Sequence, residues 1–197
     1  MRTFVRGAML AGIVLALSAL LPSIASAQSV DEIISRGKLV VAIDTTTPPY
    51  GFLDANLKPT GFDIEVANKM GEALGVPVEF VTVTSPGRIP ALLTKQVDAV
   101  ISIFSITPAR AIQIDYSIPY AGQSAVVIAP KSTSIKGVAD LVGKKVGLTR
   151  GTGEDGLLTK AADAEVEGLQ HVFLLEGVAK GNDNLRQWIN TWLFTLK

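Results

Sequence analysis

Strands and helices alternate along the first half of this chain, and that alternation restricts the fold more than any other feature of the sequence. Lys38–Ile43 is predicted to be a strand, apolar nearly throughout, and Gly61–Leu74 an amphipathic helix. A strand over Val76–Thr84, a short helix over Ile89–Lys95 and a buried strand over Val97–Ser102 follow. Because strands joined through helices run parallel, this order predicts an α/β fold with crossover helices.

The second half of the chain repeats this style in shorter segments. Strands are predicted over Ser124–Ala129 and Lys145–Thr149, and a helix over Thr152–Ala162. The stretch 163–177 has too little periodicity for an assignment. Asn182–Leu196 carries one continuous apolar stripe, which is typical of a helix packed on a core.

The first 27 residues have the pattern of an export signal. Arg2 and Arg6 precede an uncharged apolar run over Ala8–Leu21, and the small residues of Ala25–Ala27 offer a cleavage site. The run is short for a membrane span. We therefore expect a cleaved signal peptide over 1–27 rather than an uncleaved anchor, and no membrane insertion of the mature chain.

The composition argues against several functional classes. The 18 basic and 18 acidic residues balance, so no basic face for nucleic acid is expected. Without Cys there is no thiolate metal site or Cys nucleophile, and His171 is the only His, so we expect no metal site. No G-x-S-x-G motif supports a hydrolase, and no dinucleotide fingerprint or Walker motif supports a cofactor.

Three segments with ligand-binding chemistry follow predicted strands. Open parallel sheets bind ligands beyond the carboxyl ends of their strands. The segments are Asp44–Phe52, Ser102–Arg110 and Arg150–Glu154.

The second of these segments has the clearest chemistry for an anion. Thr107 is predicted to cap a helix that begins at Pro108, with Ser105 just before the cap and Arg110 one turn in. A hydroxyl, free backbone N–H groups and a guanidinium suit a carboxylate bound by two hydrogen bonds. The local motif equally fits a solvent-facing Arg beside a routine cap.

The third segment suits a small carboxylate better than a phosphate. The Thr152 hydroxyl and the Gly153 N–H lie at the start of a predicted helix. Glu154 and Asp155 in the first turn would repel a phosphate.

In this order, these segments resemble family 3 periplasmic solute-binding proteins, the polar amino-acid receptors of ABC importers. The resemblance covers about residues 30–162 and resumes in the final helix. It implies a type II periplasmic-binding-protein fold, two α/β lobes that close on the ligand by a hinge. The first lobe would comprise 28–119 with 178–197, and a partial second lobe 120–177. The matching pieces are Gly37–Val41, Asp44, Pro48–Tyr50, Gly61–Ile64, Ile89–Leu92, Val97–Ser102, Ile106–Arg110, Gly143–Gly147 and Arg150–Thr152.

The resemblance also implies roles for individual residues. Arg110 would clamp the ligand α-carboxylate, and Ser105 would help to hold the α-carboxylate and α-amino groups. Thr152 and the Gly153 N–H would complete the carboxylate site. Asp44 matches a position that often faces the ligand side chain.

Four further candidates come from the matching segments. Ser85 and Arg88 match a subgroup in which the Arg meets a side-chain carboxylate, and Tyr50 and Ser102 lie within the first and second segments. Asp44 favours a cationic or donor side chain and Arg88 a carboxylate or amide, unless the two pair with each other. The side chain of the ligand therefore stays open.

The second lobe departs from the family pattern. Beyond the helix over 152–162 the family continues through further strands and helices, including a segment whose Asp binds the ligand α-amino group. Here the chain passes from Glu176–Gly177 straight into Val178–Asp183, which resembles the returning strand and the closing helix of the first lobe. With that wall shortened, weak or absent binding is expected. If binding is tight, the ammonium partner would be Glu165, Glu167 or Glu176.

The leading interpretation is the substrate-binding protein of an amino-acid ABC importer. It would be a periplasmic monomer without catalysis, with a small amino acid or related carboxylate and the membrane permease as partners. One alternative is an enzyme similar to cyclohexadienyl (prephenate/arogenate) dehydratase, which needs a general acid in the cleft; Asp44 is the only candidate. The other is a truncated remnant that no longer binds.

Overall fold

The computed structural model describes residues 29–124, 126–163 and 171–196. Its strands are β1 (Leu39–Ile43), β2 (Thr46–Thr47), β3 (Gly51–Leu53), β4 (Pro59–Thr60), β5 (Val78–Thr82), β6 (Ala99–Phe104), β7 (Ile114–Tyr116), β8 (Ala121–Ser124) and β9 (His171–Ala179). Its helices are α1 (Val30–Arg36), α2 (Phe62–Leu74), α3 (Arg88–Leu93), α4 (Pro108–Ala111), α5 (Gly153–Asp163) and α6 (Asp183–Thr195), with 3₁₀ turns at Ser85–Gly87 and Val138–Leu141.

The principal sheet has the strand order β5-β1-β6-β9-β7, and β8 pairs with β9 outside this path. Strand β1 runs parallel to both β5 and β6, as the strand–helix alternation predicts. Strand β9 is antiparallel to β6, β7 and β8. Strands β2, β3 and β4 form a separate antiparallel sheet beside the end of β1. The carboxyl ends of β1 and β6 consequently lie at one edge.

Strand β1 shows why the sheet is covered on both faces. Its five residues are all buried. Leu39, Val41 and Ile43 belong to one core cluster, whereas Val40 and Ala42 belong to the other. Successive side chains of a strand point to opposite faces, so an unbroken apolar run needs cover on both sides.

Helix α6 closes the larger cluster. Asn182 caps the helix by accepting a hydrogen bond from the Leu185 N–H at 3.4 Å. Leu185 and Ile189 are fully buried, and the rings of Trp188 and Trp192 stack 6.1 Å apart against the core. The apolar stripe predicted from the sequence therefore packs on the principal sheet.

Two strands predicted for the second half are wrong. Residues 126–129 and 145–149 have no strand structure, and β8 ends at Ser124 where a strand was predicted to start. An apolar run becomes a strand only when a neighbour supplies its ladder of hydrogen bonds. In the described part of the chain no strand pairs with either run, and Val126 and Ile128 are 75% and 92% exposed.

Strand β9 connects the two parts of the chain. Its first half pairs with β8, from Ser124 with His171 to Ala121 with Leu174, and its second half continues the main sheet beside β6. We propose the lobe division 28–119 with 178–197 and 120–177, with β9 crossing the boundary. The signal peptide expected over 1–27 lies outside the described residues. None of the helices in the described ranges has both the length and the apolar character that a membrane crossing requires.

Candidate ligand-binding cleft

A cavity of about 310 Å³ lies between the ends of β1 and β6 and the start of α5. This volume is at the lower end of small-molecule sites, and it suits one metabolite of amino-acid size. Residues before position 120 form one wall: Asp44, Thr46, Thr47, Ser85, Arg88, Ile103 and Ser105. The opposite wall consists of Thr149, Thr152, Gly153 and Glu154.

Asp44 and Arg88 form a buried ion pair on the first wall. The Arg88 Nη2 donates to Asp44 Oδ2 at 3.3 Å, and the two side chains are 5% and 9% exposed. The other oxygen of Asp44 accepts hydrogen bonds from the Thr46 N–H at 2.8 Å and the Thr46 hydroxyl at 2.6 Å. The sequence leaves open whether Asp44 and Arg88 face the ligand or pair with each other, and in the structure they pair with each other.

Arg88 retains an unused donor in this buried position. Its Nε is buried and has no hydrogen-bond partner in the described part of the chain. Burial lowers the pKa of Arg88, and the nearby Asp44 carboxylate opposes that effect. The guanidinium also lies over the Phe104 ring, 5.7 Å from its centroid.

Arg110 joins the two walls of the cleft. Its Nη1 donates to the Ser105 carbonyl oxygen at 2.8 Å and to the Ser105 hydroxyl at 2.9 Å, and its Nη2 donates to the Gly151 carbonyl oxygen at 2.7 Å. Like Arg88, it lies over Phe104, with 5.1 Å between Cζ and the ring centroid. Arg110 is not among the cavity-lining residues, because its guanidinium is held by Ser105 and Gly151.

The start of α5 lies directly against the first wall. The Thr152 hydroxyl donates to the Thr149 carbonyl oxygen at 2.9 Å and accepts from the Asp155 N–H at 3.3 Å, so it caps the helix. A Cβ added to Gly153 would be 2.8 Å from the Ser105 hydroxyl oxygen. Glycine is thus the residue that permits this approach.

The structure brings six of the nine predicted site residues to the cavity: Asp44, Ser85, Arg88, Ser105, Thr152 and Gly153. Tyr50 is not a lining residue and packs edge-on against Phe62, with 6.3 Å between ring centroids. Ser102 is 1% exposed and also lies off the cavity wall, and its hydroxyl has no hydrogen-bond partner among the described residues.

Asp63 supports the cleft, and sequence reasoning missed it. This residue of α2 is 2% exposed and accepts hydrogen bonds from the Ile103 N–H and the Tyr120 hydroxyl, both at 3.0 Å. Ile103 has a φ of 41° and lies where the register between β6 and β9 shifts. Burial raises the pKa of Asp63 to about 6. The sequence signal for this role of Asp63 was an acidic residue among the apolar residues at the start of a helix.

Glu154, Thr46 and Thr47 line the cavity without having been predicted as site residues. Both threonines follow the Asp44 turn, and Glu154 is in the first turn of α5. Glu165 and Glu167 lie outside the described residues, and the side chain of Glu176 is likewise beyond what the structure describes.

A second and larger space of about 780 Å³ lies among the apolar residues of 126–158. It is lined by side chains such as Val127, Val138 and Leu157, and it meets the cleft at Thr152 and Glu154. No polar cluster comparable to the Asp44–Arg88 pair lines it in the described ranges.

The fold and the cleft between two α/β parts are those of a type II periplasmic binding protein. The chain belongs to the bacterial extracellular solute-binding proteins, family 3, whose sequence profile matches residues 39–197. It is similar to ABC transporter arginine-binding protein 1 of Escherichia coli K12, 38% identical over 138 residues, which is 70% of this chain and 54% of that protein. It is also 35% identical over 124 residues to the L-cystine-binding protein TcyJ of the same strain, covering 62% of this chain and 47% of the relative.

Two solved structures share the fold. The ancestral amino acid-binding protein AncCDT-1, a precursor of cyclohexadienyl dehydratase, has a TM-score of 0.75 at 29% identity and covers 85% of this chain and 92% of its own. The arginine-bound form of domain 1 from TmArgBP has a TM-score of 0.57 at 28% identity and covers 84% of this chain and 98% of its own. The chain spans about half the length of the curated relatives it matches. The family and fold predicted from the sequence are confirmed.

Proposed function

We propose that this protein binds one amino acid in the cleft and delivers it to the membrane permease of an ABC importer, outside the cytoplasm. The observation that carries the proposal is the cavity of about 310 Å³, which has the Asp44–Arg88 pair on one wall, the Glu154 carboxylate on the other and the Arg110 guanidinium bridging Ser105 and Gly151 beside it. A free amino acid carries the matching pair of opposite charges on its own backbone.

Arg110 is the proposed anchor of the ligand α-carboxylate. It is half-buried, and its Nη2 bonds to the Gly151 carbonyl oxygen. A carboxylate bonds to a guanidinium more strongly than a neutral carbonyl does. We therefore expect a bound ligand to displace Gly151 and to keep the contacts from Arg110 to Ser105.

The short second part of the chain does not by itself argue against binding. The TmArgBP neighbour is a single domain, and it is described as arginine-bound. In this protein the wall formed by Thr152 and Gly153 adds to the residues of the first lobe. We accordingly favour retained binding over the non-binding remnant considered from the sequence.

Arginine is the first ligand to test. Several of the similar proteins are named for arginine, and others for cystine or histidine. The buried pair of Asp44 and Arg88 cancels its own charge, so the first wall alone does not select one side chain. The ligand class is consequently proposed at the level of an amino acid.

A binding role without catalysis is also proposed. AncCDT-1 is an amino acid-binding protein described as a dehydratase precursor, so the fold is compatible with either role. Asp44, the one candidate acid from the sequence, accepts three hydrogen bonds, one of them from Arg88. These contacts tie Asp44 to Thr46 and Arg88, which supports a binding role.

A thermal-shift screen tests this proposal. The purified protein is heated with each of the twenty amino acids, with cystine and with prephenate, and a ligand that binds the folded state raises Tm by an amount that grows with the ratio of its concentration to Kd. We expect at least one amino acid to raise Tm and prephenate to remain unconverted. A flat response across the amino acids contradicts the binding role, and formation of phenylpyruvate contradicts its non-catalytic character.

A further inference from the structure

The two walls of the cleft differ in whether their acidic side chain has a partner. On the first wall both oxygens of Asp44 accept hydrogen bonds, Oδ1 from Thr46 and Oδ2 from Arg88. Arg88 is 4% exposed, and its Nε has no acceptor in the described residues. The acidic residue that the first wall contributes to the cavity is therefore paired with a cation.

On the opposite wall the acidic side chain has no such partner among the described residues. Glu154 is the acidic residue that this wall contributes to the cavity. It forms no ion pair within 4.0 Å and no side-chain hydrogen bond with any described residue. The neighbouring Asp155 is engaged, since its Oδ2 accepts from the Gly151 N–H at 2.8 Å.

Glu154 is positioned by the same contacts that bring the two walls together. Thr152 caps α5, and Gly153 allows the helix to lie against Ser105. Glu154 follows directly in the first turn. An unpaired, half-buried carboxylate beside a cavity favours a cation, because a partly desolvated charge is stabilised by a partner of opposite sign.

From this arrangement we infer that Glu154 receives the α-ammonium group of the bound amino acid, while Arg110 holds its carboxylate. The inference rests on the proposed function and adds a residue that determines specificity for amino acids over simple carboxylates. It assigns to α5 the acidic partner for which the sequence offered Glu165, Glu167 or Glu176 in the case of tight binding.

Two ligands and two matched variants test the assignment by calorimetry on the full chain. The ligands are L-arginine and 5-guanidinopentanoate, which is arginine without its α-amino group. The variants are Glu154→Gln and Glu72→Gln, the latter making the same chemical change at an exposed position of α2. A charge-assisted hydrogen bond corresponds to about tenfold or more in affinity.

We expect wild-type protein and Glu72→Gln to prefer arginine over the analogue by about tenfold or more. We expect Glu154→Gln to lose that preference by weakening arginine alone. Equal weakening of both ligands, or an unchanged preference, overturns the inference while leaving amino-acid binding intact. If wild-type protein does not bind arginine more tightly than the analogue, the inference also falls, and the thermal-shift screen then decides separately whether the proposed function stands.

Discussion

Replacing Asp63 by Asn should make the protein's stability less sensitive to pH, because this carboxyl is ionised at a cost. Burial raises the pKa of Asp63 from its ordinary 3.8 to about 6. Since the folded-state pKa is the higher one, the folded chain holds this proton more tightly than the unfolded chain. The contribution of Asp63 to the free energy of unfolding is therefore most favourable at low pH, and it declines as the pH rises from about 4 to 6. Over the whole titration, the loss of this contribution corresponds to about 3 kcal/mol of unfolding free energy.

Urea denaturation at several pH values measures this effect. Between pH 4.5 and 7.5 wild-type protein should lose about 2 kcal/mol relative to Asp63→Asn, since part of the change lies below that window. Asn still accepts from the Ile103 N–H, so the bulge in β6 is retained. Burial also raises the pKa of Asp98, but that residue is common to both proteins and cancels in the difference. Glu72→Gln on the same helix controls for the loss of one carboxylate. A pH-independent difference between wild type and Asp63→Asn would refute the reasoning.

Three further outcomes follow from the cleft and the core. Arg110→Ala should weaken ligand binding by about 2–5 kcal/mol with a native circular dichroism spectrum, because it removes the anchor and its contacts to Ser105; unchanged affinity by calorimetry contradicts this. Gly153→Ala should also weaken binding, since its Cβ would crowd the Ser105 hydroxyl, whereas Gly156→Ala on the same helix has open space and should bind normally; equal affinities for the two variants would argue against the close approach. Trp192→Ala should lower the unfolding free energy by about 3–5 kcal/mol in urea, because the ring is 9% exposed in the larger core cluster; a loss below about 1 kcal/mol would place it outside the core.

The first-lobe fold could be predicted from the sequence because its pattern is local. The apolar run of β1, the periodic helix α2 and its end at Gly75 each carry their own signal. The run at 126–129 is equally apolar and the one at 145–149 is partly so, yet neither forms a strand. Strand pairing depends on a partner distant in the chain, and composition alone does not supply one.

The sequence predicts those site residues that come directly after a strand. Asp44 and Ser105 lie at the carboxyl ends of β1 and β6, and the rule for parallel sheets places both at one edge. Asp63 was missed because its partner, the Ile103 N–H, is 40 residues away. The sequence also does not show that Glu154 is unpaired among the described residues, because tertiary contacts decide which carboxylates have a partner.

Native mass spectrometry tests the central claim of amino-acid binding most directly. The purified protein is incubated with an equimolar mixture of the twenty amino acids and cystine, and the intact complex is weighed. The account predicts one adduct per chain with the mass of one amino acid, and its loss in Arg110→Ala. A chain that carries no amino-acid adduct, or an adduct retained equally by Arg110→Ala, would contradict the claim that this cleft is an amino-acid site.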